Sequence, residues 1–319
     1  MSTPSATYGY LGPAGTFCHE ALLSVPDLPG HLRPFASVVA ALEAVRAGAI
    51  EAALVPIENN IEGGVSATLD NLTYGQPLMI TREVLLPVEF NLYVRPGTGL
   101  ADVHRVITHP HAFAQCRGWV AANLPNATVS EGGSTAAGAA EVADPNSRYQ
   151  ATICSQAAGE LHGLEAAATA IADNKSAVTR FVLITKPGAP PERTGADKTT
   201  LVVFLRENAA GGLLKMLEQF ASRGVNLSRI ESRPSRITRG HYSFSIDAEG
   251  HINDHRLAGA LKGLKRTSRE VVFLGSYARV DQQPTEIAAE HGDEQYRAAE
   301  KWLATLRTGG NGRGIPGVD

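Results

Sequence analysis

The sequence predicts an α/β fold in two unequal parts, and three observations carry that prediction. Before residue 186, short apolar strand-like segments alternate with amphipathic helical ones, the pattern of a mostly parallel sheet. Residues 186–198 (KPGAPPERTGADK) hold three prolines, two glycines and five charges without apolar periodicity, the mark of a linker. Beyond them the elements read βαββαβ as far as residue 280. At 319 residues the chain is long enough for two domains.

Residues 7–11 form a first strand, stopped by Gly12 and Pro13, and 17–23 a helix. Val38, Leu42 and Val45 recur at i, i+4 and i+7, so 37–47 is an amphipathic helix. Residues 50–57 read as a strand, and 83–94, rich in Val, Leu, Phe and Tyr, as strand passing into strand. Short strands follow at 106–108, 127–130, 151–154 and 180–184, with helical segments between them. The two blocks, near 8–80 and 100–170, predict two lobes. In the second part, 201–205 is a strand and 211–223 a helix with Leu213, Leu217 and Phe220 on one face. Residues 225–231 form a strand. Tyr242, Phe244 and Ile246 alternate with Ser243, Ser245 and Asp247 in a half-buried strand. Asn253 opens a helix carrying Leu257, Leu261 and Leu264, and 271–274 closes the set. This order is ferredoxin-like, and it leaves sheet edges that seek a partner. Residues 293–307 read as a helix with Tyr296, Ala299, Leu303 and Leu306 in a stripe and Trp302 beside it, expected to dock on a neighbouring surface. Residues 309–319 are Gly-rich and expected to be disordered.

Composition removes several function classes. Lys and Arg number 29 against 32 Asp and Glu, a net charge of −3, far from the basic excess of a nucleic-acid binder. No run approaches the ~18 apolar residues of a membrane span. Residues 1–10 lack a basic and apolar leader pattern. Cys18, Cys116 and Cys154 are odd in number and far apart, which argues against a disulfide framework or a structural zinc site. The expectation is a soluble cytoplasmic protein with no nucleic-acid or membrane partner. No GxGxxG follows a strand, and no P-loop is present. Residues 132–136 (GGSTA) lack the last glycine of a nucleophile elbow. His109 and His111 fall short of the three ligands of a metal site.

Ligands in open α/β sheets bind beyond the carboxyl ends of strands and at helix starts. Here those ends are residues 12–16, 56–60, 108–111, 133–135 and 155–156, rich in hydroxyls, amides and glycines. They suit an anion pocket; ordinary helix capping accounts for any one of them alone.

Residues 12–17 (GPAGTF), 56–59 (PIEN) and 179–181 (TRF), in this order, resemble the prephenate dehydratase family. The second part resembles an ACT regulatory domain through 211–213 (GGL) and 231–234 (ESRP). The resemblance implies a catalytic domain over 1–185 with a two-lobed, type-II periplasmic-binding-protein-like fold. It further implies a linker at 186–198, an ACT domain over 199–280, and a C-terminal helix and tail over 281–319. The implied activity is conversion of prephenate to phenylpyruvate in phenylalanine biosynthesis, with loss of water and carbon dioxide and without a cofactor. L-phenylalanine is the implied effector. The exposed edge of the βαββαβ unit predicts a homodimer or homotetramer. Arogenate dehydratase and a non-enzymatic small-molecule sensor stand as alternatives. No helical chorismate-mutase module is expected before Tyr8. Several positions depart from the family pattern: Asn60 replaces Ser, Thr108 and His111 replace Ser and Gln of SHPQ, Gly133 replaces Glu, Ala177 replaces Asn, and residues 210–213 (AGGL) replace PGAL.

Prephenate carries two carboxylates and a ring hydroxyl that must leave. The resemblance makes Thr179 the expected donor to the leaving oxygen. Glu58 either holds a proton or shapes its loop through a salt bridge. Asn59 is expected to bind substrate through its amide. His109 is a second donor, a positioning group or a loop-fixing residue, with Gln115 on the helix after it. Thr16, Ser134 and Thr135 suit carboxylate binding at helix starts, or capping. Arg180 pairs with a carboxylate of the substrate or of the protein. For the effector, Gly211 and Gly212 allow close backbone approach, Asn226 offers an amide, and Leu213 and Leu227 line a ring pocket. Glu231, Ser232, Arg233 and Pro234 are the implied ligand-responsive strand.

Overall fold

A computed structural model describes residues 6–26, 28, 30–61, 63–207, 209–236 and 242–309. It divides into two units, Met1–Pro187 and Gly188–Asp319. In the first unit the order is β1 (Ala6–Leu11), α1 (Phe17–Leu23), β2 (Gly30–Phe35), α2 (Val38–Ala47), β3 (Ala52–Asn59), β4 (Gly63–Gly64), α3 (Ser66–Tyr74) and β5 (Met79–Pro87). It continues through β6 (Asn91–Val94), β7 (Arg105–Thr108), α4 (Pro110–Gln115), α5 (Arg117–Asn123), β8 (Thr128–Glu131), α6 (Thr135–Ala143), β9 (Ala151–Cys154), α7 (Gln156–Leu161), β10 (Glu165–Ala168) and β11 (Val178–Thr185).

These strands make two sheets, β2-β1-β3-β11-β5 with β4 on β3, and β10-β6-β9-β7-β8. The expected parallel pattern holds only in part. β1 is parallel to β2 and β3, and β7 to β8 and β9. β11, β5, β6 and β10 all pair antiparallel. The reason is connectivity: the chain passes between the sheets twice, from β5 to β6 and from β10 back to β11. Each passage lays a strand against the grain. β2 and β10 escaped the sequence reading because both are edge strands of weak pattern. Pro34 in β2 lacks the N–H of an inner strand, and β10 is mostly alanine.

β3 is buried along Ala52, Ala53, Leu54, Val55 and Ile57 because helices lie on both faces of its sheet. Helix starts follow side-chain chemistry. Thr16, Ser37, Ser134 and Ser155 accept the N–H groups of His19, Ala40, Ala137 and Ala158 at 3.4, 3.1, 3.0 and 3.2 Å.

The second unit runs β12 (Asp197–Phe204), α8 (Gly212–Ala221), β13 (Leu227–Pro234), β14 (Tyr242–Glu249), α9 (His255–Thr267), β15 (Glu270–Ala278) and α10 (Asp293–Arg307). Its sheet, β13-β14-β12-β15, is antiparallel throughout. Met216 and Phe220 of α8 and Leu257, Ala260 and Leu264 of α9 cover one face through Leu201, Val203 and Ile246. On the other face Asp247 accepts the Thr200 hydroxyl at 2.7 Å and the Arg229 Nε–H at 3.0 Å. The expected docking of the tail helix is anchored at its first turn. There Asp293 accepts the His255 N–H at 3.0 Å and Arg193 Nη1 at 2.6 Å, while Trp302, Leu303 and Leu306 stay exposed. The Gly-rich tail expected past this helix lies, beyond Gly309, outside the described residues.

All three cysteines are buried, and burial pushes each thiol up to about 12. The thiolate is the reactive form. The native protein at pH 8 is therefore expected to give no thiol-reagent colour within minutes, and three equivalents after unfolding in urea. Prompt native reaction would contradict this packing.

Candidate active site

The antiparallel register of β11 on β3 sets Thr179 opposite Asn59 and Arg180 opposite Glu58. The next pair is Phe181 with Pro56, so Ile57 is an extra residue, a bulge that re-aims the end of β3. Asn59 Oδ1 accepts the Ile61 N–H at 2.8 Å, which turns the amide nitrogen the other way. Asn59 Nδ2 then donates to Thr179 Oγ1 at 2.9 Å. A hydroxyl that accepts this bond still has its own hydrogen to give. Asn59, expected to hold substrate, thus also orients the expected donor.

Arg180 points the opposite way along the strand. It is 6% exposed; Nε donates to Glu83 Oε2 at 2.8 Å and Nη1 reaches Glu58 Oε2 at 3.4 Å. Of its two expected partners the structure supplies the protein carboxylates. Glu58 takes the loop-shaping salt bridge rather than a place beside the Thr179 hydroxyl.

The loop after β1 is held on three sides. Gly15 has φ +84°, and a Cβ there would sit 2.9 Å from Ala158 Cα. Ser155 Oγ donates across to the Gly15 carbonyl at 2.9 Å, joining this loop to the start of α7 on the second sheet. The Gly15 N–H donates to His19 Nδ1 at 3.1 Å. The His19 ring stacks on Tyr10 at 4.7 Å, and burial pushes its pKa below the ordinary range. Thr16 Oγ1 turns to Leu11 O and Pro13 O at 2.9 and 3.0 Å and caps α1, so capping rather than carboxylate binding occupies it.

β1, β3, β7, β8 and β9 end on the edges that the Gly15–Ser155 bond joins. On the second sheet's edge His109 caps α4, its Nδ1 accepting the His111 N–H at 3.3 Å, which leaves Nε2 to carry the proton of the neutral ring. Ser134 caps α6 and Thr135 begins it. Gln115 ends α4 with Oε1 buried and without a hydrogen-bond partner among the described residues. Such an acceptor is one that a bound ligand satisfies. Asp173, on the passage from β10 to β11, accepts the Gly118 and Trp119 N–H groups at 2.9 and 3.1 Å, and its own N–H donates to Gln115 O at 2.7 Å. Among the described residues no three His, Cys, Asp or Glu side chains converge as a metal site.

The second unit holds a cavity of about 390 Å³ lined by Leu205, Glu207, Gly211, Gly212, Leu213 and Tyr242, among others. Gly211 has φ +79°, which lets the chain turn into α8 beside it. Asn226 and Leu227 do not line this cavity. Asn226 O accepts the Glu249 N–H at 2.9 Å, and Leu227 packs under the helices. Glu231 bridges Arg229 and Arg233 at 3.2 and 3.1 Å. Ser232 and Pro234 are exposed on the edge strand.

A family model for prephenate dehydratase matches residues 8–189. The chain belongs to the prephenate dehydratase family. A model for the ACT domain matches residues 199–266. The prephenate dehydratase of Mycobacterium leprae (strain Br4923) is 45% identical over 314 residues, 95% of this chain and 95% of that one. A solved prephenate dehydratase from Arthrobacter aurescens, in complex with L-Phe, superposes with a TM-score of 0.90 at 52% identity, over 95% of this chain and all of that one. A structure described as GqqA, a novel type of quorum-quenching acylase, superposes with a TM-score of 0.77 at 30% identity, over 87% of this chain and 100% of that one.

In this prephenate dehydratase family member, sequence reasoning missed Glu83 and His19, and Leu205, Glu207 and Tyr242 of the cavity, while Ser155 stood among its strand-end residues. His19 alone carried a signal: it stands three residues after the Thr16 cap, where a capping-box side chain reaches back. Glu83 lies 97 residues from Arg180 and had none.

Removing one partner of a buried ion pair leaves the other buried and uncompensated. Arg180→Leu is therefore expected to lower unfolding free energy by ~3–5 kcal/mol in urea titration, with much of the loss recovered in Arg180→Leu/Glu83→Leu. Unchanged stability with a raised KM would instead assign Arg180 to the substrate.

Proposed function

We propose that this protein converts prephenate to phenylpyruvate, carbon dioxide and water, and that L-phenylalanine regulates it. The Thr179 hydroxyl, oriented by Asn59 at the strand ends, is the observation that carries the reading. Near-full-length identity to proteins of that name supports it. In the reaction the bond from the ring to its carboxylate breaks and the electron pair enters the ring. The bond to the ring hydroxyl breaks in turn, and its pair leaves on oxygen, which takes a proton to become water. Aromatisation drives the reaction, so the chain has to hold the dianion and supply a donor. Thr179 donates to the leaving oxygen while Asn59 Nδ2 steadies the charge that grows on Oγ1. Gln115, His109, Ser134 and Thr135 line the opposite edge, where backbone N–H groups at the α6 start receive a carboxylate.

Residues 1–185 form the catalytic domain on this reading, two lobes of the type-II periplasmic-binding-protein kind. Two sheets joined by two crossings support that architecture. Residues 186–198 are the linker, 199–280 the ACT domain, and 281–319 the C-terminal helix and tail. Gly211, Gly212 and Leu213 frame the effector cavity. Asn226 and the strand Glu231, Ser232, Arg233 and Pro234 complete it from a second copy, paired along β13, while Leu227 stays under its own helices. A homodimer or homotetramer follows from that pairing, and the cytoplasm is its compartment on this reading.

Thr179→Val keeps the shape and removes the hydroxyl. A fall of ~10²-fold or more in kcat with little change in KM is expected, and Thr179→Ser is expected to keep part of the rate. Phenylpyruvate absorbance reads both, with arogenate assayed beside prephenate. Near-normal turnover of Thr179→Val would remove Thr179 from the mechanism, and a preference for arogenate would change the substrate.

Coupling between two ligands is reciprocal in binding free energy. L-phenylalanine is expected to weaken prephenate binding by ~5–150-fold, and prephenate to weaken L-phenylalanine binding by the same factor. Calorimetry with each ligand in the presence of the other checks this. No L-phenylalanine binding at millimolar concentration, or binding that survives Gly211→Val, would misplace the regulatory site.

A further inference from the structure

We infer that Asn60 is a positioning residue for the Thr179 hydroxyl, acting as an added rung between the end of β3 and the start of β11. The inference rests on the reading of Thr179 as the proton donor. The Asn59–Thr179 pair is the last of the β3–β11 register. Beyond it the approaching residues 176–178 are held by Asn60, the residue just after β3. The Asn60 N–H donates to Val178 O at 3.1 Å. Its side-chain Oδ1 accepts the Val178 N–H at 2.9 Å, and Nδ2 donates to Ser176 O at 2.7 Å. One residue therefore engages three polar groups of the approaching segment. Its carboxamide presents a donor and an acceptor at separate atoms, as a peptide unit does in a ladder.

The effect on Thr179 follows from position. Thr179 is the second residue of β11, where a strand frays first. Both polar groups of Val178, the residue just before it, are bound to Asn60. The peptide planes on either side of Val178 are thereby fixed, and so is the direction from which the chain enters Thr179. On the far side, Ser176 is closed into an Asx turn, its N–H and hydroxyl donating to Asn174 Oδ1 at 2.9 and 2.7 Å. Ala177 O accepts the Val88 N–H at 2.8 Å. Of these ties, Asn60 is the one made by the residue adjacent to Asn59, so it sets Thr179 and its amide partner in one frame. Asn60 itself is exposed. Its loss removes alignment without opening the core, and a misplacement of ~1 Å is enough to cost ~10²-fold in rate.

The test combines turnover with exchange. Wild-type and Thr179→Val rates on prephenate are measured first and judge the functional reading by themselves. Asn60→Ala is then expected to lower kcat ~10-fold with KM within ~2-fold and the melting temperature unchanged. Asn60→Ser, which keeps an acceptor for the Val178 N–H, is expected to lose less. In the Thr179→Val background, Asn60→Ala is expected to have no further effect, because a residue that acts through Thr179 has nothing left to position. Independently of turnover, hydrogen exchange at the Val178 amide, which Asn60 Oδ1 accepts, is expected to speed up in Asn60→Ala. Multiplicative losses in the double variant, a KM effect without a kcat effect, or unchanged exchange would each overturn the inference.

Discussion

Everything proposed for the catalytic unit depends on β11 lying between β3 and β5. The strand returns from the second sheet and enters the first against its grain. Phe181, Val182, Leu183 and Ile184 are buried there. Burial of this kind fixes register, because a slip of one residue would turn every side chain to the other face. Register in turn decides which residue meets Asn59. The Arg180–Glu83 pair adds a second lock: a guanidinium that is 6% exposed tolerates only a position with carboxylates in reach. The same strand therefore carries a buried ion pair at Arg180 and the Asn59-bonded Thr179 hydroxyl on adjacent residues.

Close approach at Gly15 is what joins the second sheet to the loop after β1. With no side chain at Gly15, Ala158 packs directly on the loop, and Ser155 crosses to its carbonyl. Phe17, the next large residue, belongs to the packing of both sheets and meets Phe90 edge-on at 5.4 Å. Polar and apolar contacts thus close the junction from two sides. His19 secures the loop from behind as a neutral acceptor. Its depressed pKa means the Gly15 bond is intact above the ordinary imidazole range and is lost as pH falls below it.

The ACT unit places its chemistry differently. One face of its sheet is apolar under two helices. The other carries a buried Asp247 satisfied by Thr200 and Arg229. Arg229 continues to Glu231, and Glu231 to Arg233, so the motif strand is wired to the sheet centre while its other face stays exposed. No described residue of β13 lines the cavity framed by Gly211, Leu213 and Tyr242.

Much of this was legible in the sequence. Periodicity located α2, α8, α9 and α10. Alternation located β14, and the composition of residues 186–198 marked the break between the two parts. Short motifs pointed to Thr179, Asn59 and the glycines, since turns, caps and strand ends are local and their residue types follow from local backbone needs. Side-chain pairing was not legible. Which carboxylate Arg180 pairs with was not legible until Glu83, 97 residues away, was beside it. Thr16 read as an anion ligand or a cap until its hydroxyl was found donating to Leu11 O and Pro13 O. The antiparallel strands were hidden for the same reason: direction is set by where the chain re-enters a sheet, and no local pattern encodes it. By itself the sequence determined which segments are strands and helices and which residues have usable chemistry. Only the tertiary structure decided which of those residues face one another, because a hydrogen bond or an ion pair depends on distance in space, and that distance is fixed by packing across the whole unit.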